Sequence, residues 1–239
     1  MAASGERDTG AGGHASPRVL AWDGPTRLFH WALVALVACA WISKKYGDVL
    51  LVWHTWNGYA ILTLLVWRLA WGVVGGTTAR FAAFLAWPWT AVTWGLAFAR
   101  GQSRPYLGHN PVFGWVVIGF LVLLAAQATT GLFASDDIAA EGPLSRRVGG
   151  WWVGFLTTWH HRIFDLILVL IALHLLANLA HLIWKRENLN PPMIHGMKPA
   201  GAYADAPHAR PGSWGLALAL ALVSGALVLG TVWLVGGRL

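Results

Sequence analysis

Residues 159–185, WHHRIFDLILVLIALHLLANLAHLIWK, form an apolar run about as long as one helix needs to cross a bilayer. Most interior positions are Leu, Ile, Val, Ala or Phe, and the recurring exceptions are histidines. His160 opens the run, His174 lies towards its far end, and His181 follows one heptad later. On a helix of 3.6 residues per turn, fourteen residues bring the direction back to within roughly 40° and advance about 21 Å. His160 and His174 therefore share a face, one near each membrane surface. An imidazole in hydrocarbon is costly without a partner, so this spacing points to function. It predicts two ligand sites, one in each leaflet.

The rest of the 239-residue chain agrees with a membrane setting. It is 56% hydrophobic and 11% charged, against about 25% charged in a soluble domain. Further apolar runs near 28–43, 49–74, 113–134 and 214–236 bring the predicted transmembrane helices to five. The net charge of +7 reads as basic loop residues held at a membrane surface rather than a nucleic-acid interface. The single cysteine, Cys39, lies inside the first run and reads as packing. It excludes a disulfide framework, thiolate-bound zinc and an iron–sulfur cluster. Several of the seventeen tryptophans sit at run ends, where rings settle at the headgroups (Trp22, Trp41, Trp53, Trp87, Trp89, Trp151, Trp152, Trp184).

Residues 1–18 read as a disordered tail, 19–198 as the main transmembrane domain, and 199–239 as a linker and an extra helix. Helix 1 starts near Thr26. The connection 75–112 is basic, with Arg80, Arg100 and Arg104; its apolar middle, broken at Pro88, predicts a surface-lying or re-entrant helix. A second connection, 135–158, precedes helix 4. Helix 5 contains no histidine or charge. The tail with Arg27 at the start of helix 1, and the 75–112 and 185–212 segments, hold ten of the seventeen Lys and Arg residues. That bias predicts a cytoplasmic N-terminus and an extracytoplasmic C-terminus.

With those directions, His30 and His174 lie towards the cytoplasmic side, and His54 and His160 towards the outside. Each depth has one histidine pair on two different helices. A flat macrocycle wedged in a helix bundle and held by an imidazole on each face needs this layout. Bis-histidine ligation fills both axial positions of haem iron and favours electron transfer over oxygen binding. A lone membrane histidine reads equally well as an interhelical hydrogen-bond partner; four that pair by depth do not. His161 points about 100° from His160, His181 reads as a solvated interface residue, and His109 as turn or cap chemistry. His14, His195 and His208 read as loop residues. Two other functions compete: a stand-alone oxidoreductase passing electrons from superoxide to quinone, and a transport subunit whose histidines bind a transition metal.

The pieces WDGPTRLFHW, WHTWNGYAILTLLVWRLAWG, ARFAAF, YLGHNPVFGW, QATTGLF, HHRIFDLILVLIALHLLANL and KRENLNPPMIHGMKP cover most of residues 20–198. With their histidine spacing, the chain resembles the bacterial cytochrome b561 family, which includes the cytochrome b subunits of nickel–iron hydrogenases. The resemblance implies a four-helix core binding two haems b through His30, His54, His160 and His174, in a bacterial inner membrane. It also implies exchange with the quinone pool and with a redox partner such as a hydrogenase or c-type cytochrome, with a homo-oligomer open. Arg68, His181 and Lys185 on one side, and Arg162 and Asp165 on the other, are candidate quinone contacts; Arg68 and Arg162 serve equally as haem propionate contacts. Helix 5 departs from compact four-helix members.

Overall fold

The computed structural model of the chain describes residues 17–45, 47–135 and 141–237. In chain order these form strand β1 (Arg18–Leu20), helices α1 (Gly24–Lys45) and α2 (Gly47–Val74), and the short α3 (Phe81–Phe84). Then come α4 (Pro88–Ala99), α5 (Pro111–Gly131), α6 (Gly150–Trp184), the short α7 (Asn190–His195), strand β2 (Met197–Pro199) and α8 (Trp214–Leu234). Among the described residues, five helices are long and apolar enough to cross a membrane: α1, α2, α5, α6 and α8. α4, at 12 residues, is about 18 Å long and too short to span. It starts on Pro88, with Trp87 and Trp89 strongly exposed on either side.

Local chemistry fixes the helix starts. The Asp23 carboxylate accepts the Thr26 N–H at 2.9 Å, and the Asn110 side chain accepts the Phe113 N–H at 2.9 Å. Both are side-chain caps on donors that a helix leaves unpaired. α6 begins earlier than its sequence suggests. It extends back to Gly150, into the expected 135–158 connection, and runs 35 residues, or about 52 Å. Between Gly154 and Trp159 no glycine or proline interrupts it. Trp151 stacks on Phe155, and Phe155 meets Trp159, as i,i+4 aromatic pairs.

The core is a seam among three helices: Ile61 and Leu65 of α2, Leu121, Leu124 and Ala128 of α5, and Ile163 and Ile167 of α6. Leu33, Leu36 and Val37 of α1 pack on its edge. α1 runs closely along α2, and α6 closely along α5, but α1 and α6 make no comparable backbone approach. The bundle is therefore open along that side. α8 lies outside, along α2, where Trp67 Nε1 donates to the Ala217 carbonyl at 2.9 Å.

A small cap closes the end where β1 lies. β1 and β2 pair antiparallel, Val19 opposite Lys198. The 200–213 segment then folds over them: Ala209 N donates to Leu20 O, and both oxygens of Asp205 accept backbone N–H groups, from Leu107 and Gly108. Ala21, Trp22, Leu107 and Ala209 make the cap's core. Of the expected disordered tail, residues 1–16 lie outside the described residues. Arg18, its last residue, opens β1 and pairs with Pro199.

Candidate cofactor site

The end opposite the cap brings together His54 of α2 and His160 of α6. Their ring centroids are 6.3 Å apart and their planes 80° apart. Two imidazoles on opposite sides of one metal, each nitrogen about 2.0 Å from it, have centroids roughly 6 Å apart once the ring radii are added. Both Nδ1 atoms are engaged. His54 Nδ1 lies 3.0 Å from Ser43 Oγ, and His160 Nδ1 lies 2.9 Å from the Gln127 carbonyl. A partner on Nδ1 orients the ring and leaves Nε2 as the ligand atom. The Nε2 of His160 faces the Gln127 side-chain nitrogen at 3.2 Å, and the Gln127 oxygen is buried without a partner.

These rings line a narrow, open-sided cleft among α1, α2, α5 and α6. Gly58 lines it too, and a side chain built there would meet nothing within 4 Å. Gly131 does the reverse: a Cβ on it would come within 2.8 Å of the His160 ring. One glycine leaves the slot open, and the other lets His160 lie against α5.

At the cap end, His30 of α1 and His174 of α6 each hold a buried Nδ1 with no partner. The His174 ring meets Phe113 and Phe120 edge-on, and its Nε2 lies 3.2 Å from the Asn178 amide nitrogen. The expected reading of His109 as a turn or cap residue is corrected. The cap is the adjacent Asn110, and the His109 ring lies between Trp22 and Phe84, at 4.6 and 4.7 Å. Burial pushes its pKa down to about 3, with Arg68, His174, Lys198 and His30 near enough to add to the effect. Arg68, in the second half of α2, is 2% exposed.

The remaining candidates scatter. Arg162 and Asp165 point outward from α6, and Arg162 lies over Trp159 rather than in the cleft. Lys185 lies over Phe98. His181 is not solvated as its sequence position suggested: it is buried, stacked among Trp94, Phe98 and Phe113, and 3.6 Å from Glu187. Glu187 also binds Lys198 Nζ at 3.0 Å. Burial raises its pKa, but His181 and Lys198 outweigh that and hold it at about 2. His161 lines the rim of the far-end cleft. Sequence reasoning passed over Ser43, Lys44 and Gln127, which also line or flank that cleft. Gln127 carried a signal, as an amide inside an apolar span.

Five candidate spans among the described residues, the His54/His160 pair and an open slot between α1 and α6 define a polytopic membrane protein. The residues fit haem b: paired imidazoles at a metal-spanning distance, oriented Nδ1 atoms, orphaned donors and an apolar slot. Bound there, haem b supplies a one-electron carrier. The comparisons agree. The chain belongs to the prokaryotic cytochrome b561 family, whose model matches residues 21–196, and is thus a b-type membrane cytochrome. It is 23% identical over 75% of its length to a probable Ni/Fe-hydrogenase B-type cytochrome subunit of Azotobacter chroococcum mcd 1, covering 88% of that protein. The subunit of the same name from Bradyrhizobium diazoefficiens is 22% identical over 81% of the chain and 89% of its own length. The one from Cupriavidus necator is 23% identical over 79% and 90%. No solved structure shows a significant match.

Proposed function

We propose that this chain carries electrons across a bacterial inner membrane through two haems b. His54 with His160 would hold one, and His30 with His174 the other. The observation that carries the reading is the 6.3 Å His54–His160 separation together with hydrogen-bonded Nδ1 atoms on both rings. The positive-inside bias supports a cytoplasmic cap, which puts the His30/His174 site inside and the His54/His160 site outside. The relatives' names support a hydrogenase as donor at one surface, and the lipid-facing helices support membrane quinone as acceptor. The chain's own part is to orient the imidazoles, exclude water with the α2–α5–α6 seam and fix the distance between sites.

The test is a haem count and a quinone assay on the purified chain. Two haems b per polypeptide by pyridine haemochrome, and reduction of a soluble quinone analogue by the pre-reduced protein, are the expected results. One haem or none per fully loaded chain sinks the two-site reading.

A further inference from the structure

Arg68 is the most deeply buried charge in the described residues that has an orphaned atom. Its guanidinium lies over the rings of Phe81 and Phe84, at 4.9 and 5.9 Å, and its Nη1 is buried with no hydrogen-bond partner. A buried guanidinium whose nearest opposite charge, Asp23, makes no direct ion pair with it is unfavourable. Asp23, at the same end, spends its two oxygens on the N–H groups of Thr26 and Gly212. Among the described residues no ion pair reaches Arg68.

His109 stands beside it. Phe84 packs against both the Arg68 guanidinium and the His109 ring, and His109 Nδ1 is also buried without a partner. The Nδ1 atoms of His30 and His174 are unpaired as well. Arg68 Nη1 and His109 Nδ1 thus lie without a partner near the His30 and His174 rings. What completes these two is an anionic group with oxygen acceptors, entering beside a pair of imidazoles. Haem b has that chemistry, with two carboxylate arms at one edge of its ring.

We propose that Arg68 and His109 form the carboxylate-binding subsite of the haem held by His30 and His174. This rests on the two-haem reading above. Arg68 supplies the charge, and neutral His109 donates a hydrogen bond from the capping loop. The positive charge near the ring favours the reduced form, which is one charge more negative, and so raises that haem's potential.

The experiment uses the full-length chain, haem-loaded and purified in detergent, as wild type and as R68Q, R68K, H109L and H109Q. It reads haem per chain, the midpoint potential of each component and tightly bound phospholipid phosphorus. In R68Q one component becomes at least tenfold harder to reduce, about 59 mV for one electron, while the other stays in place. R68K recovers most of the shift, since it keeps the charge but loses the planar fork. H109L moves the same component the same way by less, and H109Q, which keeps an N–H donor, restores it. An unmoved pair of potentials in R68Q overturns the subsite, as does an equal shift of both. So does loss of bound phospholipid with the potentials unchanged, which would make Arg68 a lipid-phosphate site. If R68Q does not accumulate, H109L against H109Q decides in the same way. Fewer than two haems in the wild type overturns the underlying reading and this subsite with it; two haems with an unmoved R68Q overturns the subsite alone.

Discussion

At the scale of single residues, the far-end cleft owes its shape to Gly58, which lines it, and to Gly131, which lets His160 lie against α5. Gly58 faces empty space in the slot, so Gly58→Phe should fill it and block the cofactor without displacing anything already packed. The expected outcome is loss of one of the two haem signals, with the helical circular dichroism unchanged; a variant that still carries both signals refutes this. Gly131→Ala should act by the opposite route, pressing a methyl into the His160 ring and shifting the spectrum of the same haem. The four histidines make a sharper test. His54→Ala and His160→Ala should remove one redox component, and His30→Ala and His174→Ala the other, in potentiometric titrations. If His30→Ala and His54→Ala delete the same component, the pairing is wrong. The approach of His54 to His160 was legible in the sequence, because helix direction places both towards the same end. The surroundings of His109 and His181 were not. Both lie beside loops, and their burial comes from aromatic rings far away in sequence, Trp22 and Phe84 for one, Trp94 and Phe98 for the other.

At the scale of elements, α8 is attached to the outer side of α2 and takes no part in either histidine pair. Trp67 Nε1 reaches the Ala217 carbonyl, and Ser224 is 2% exposed at the same interface. Trp67→Phe removes that donor and leaves a buried carbonyl with one partner fewer. The expected loss is about 1 kcal/mol of stability, seen as a lower Tm in detergent, with both haem potentials unchanged. A change in either potential would mean that α8 bears on the cofactor sites. The five spans were legible from hydropathy alone, since each is a continuous apolar run. The early start of α6 was not, because the aromatic segment 150–158 reads as an interfacial loop. Only the i,i+4 stacking of Trp151, Phe155 and Trp159 reveals the helix.

At the scale of the whole molecule, the cap ties both ends of the main domain to the loop before α5. Glu187 is its electrostatic centre, joining His181 at the foot of α6 to Lys198 of β2. Its folded pKa, about 2, lies below the ordinary 4.5. Such a group adds stability that is complete above pH 4.5 and is lost as pH falls through 2. Glu187→Gln should therefore lower Tm at neutral pH by the equivalent of about 1 kcal/mol. The gap between variant and wild type should close on acidification from pH 5 towards pH 2. A gap that does not depend on pH would assign the loss to packing instead.

The long α6 carries a consequence for control. His160 and His174 sit on one unbroken helix, about 21 Å apart along its axis, so no hinge lies between them. Tunnelling between two carriers depends steeply on separation, and under the proposed two-haem reading a covalent ruler would set that separation. Loop movements would then leave it unchanged, and any throttle on the current would act where partners dock, at the two ends of the wire.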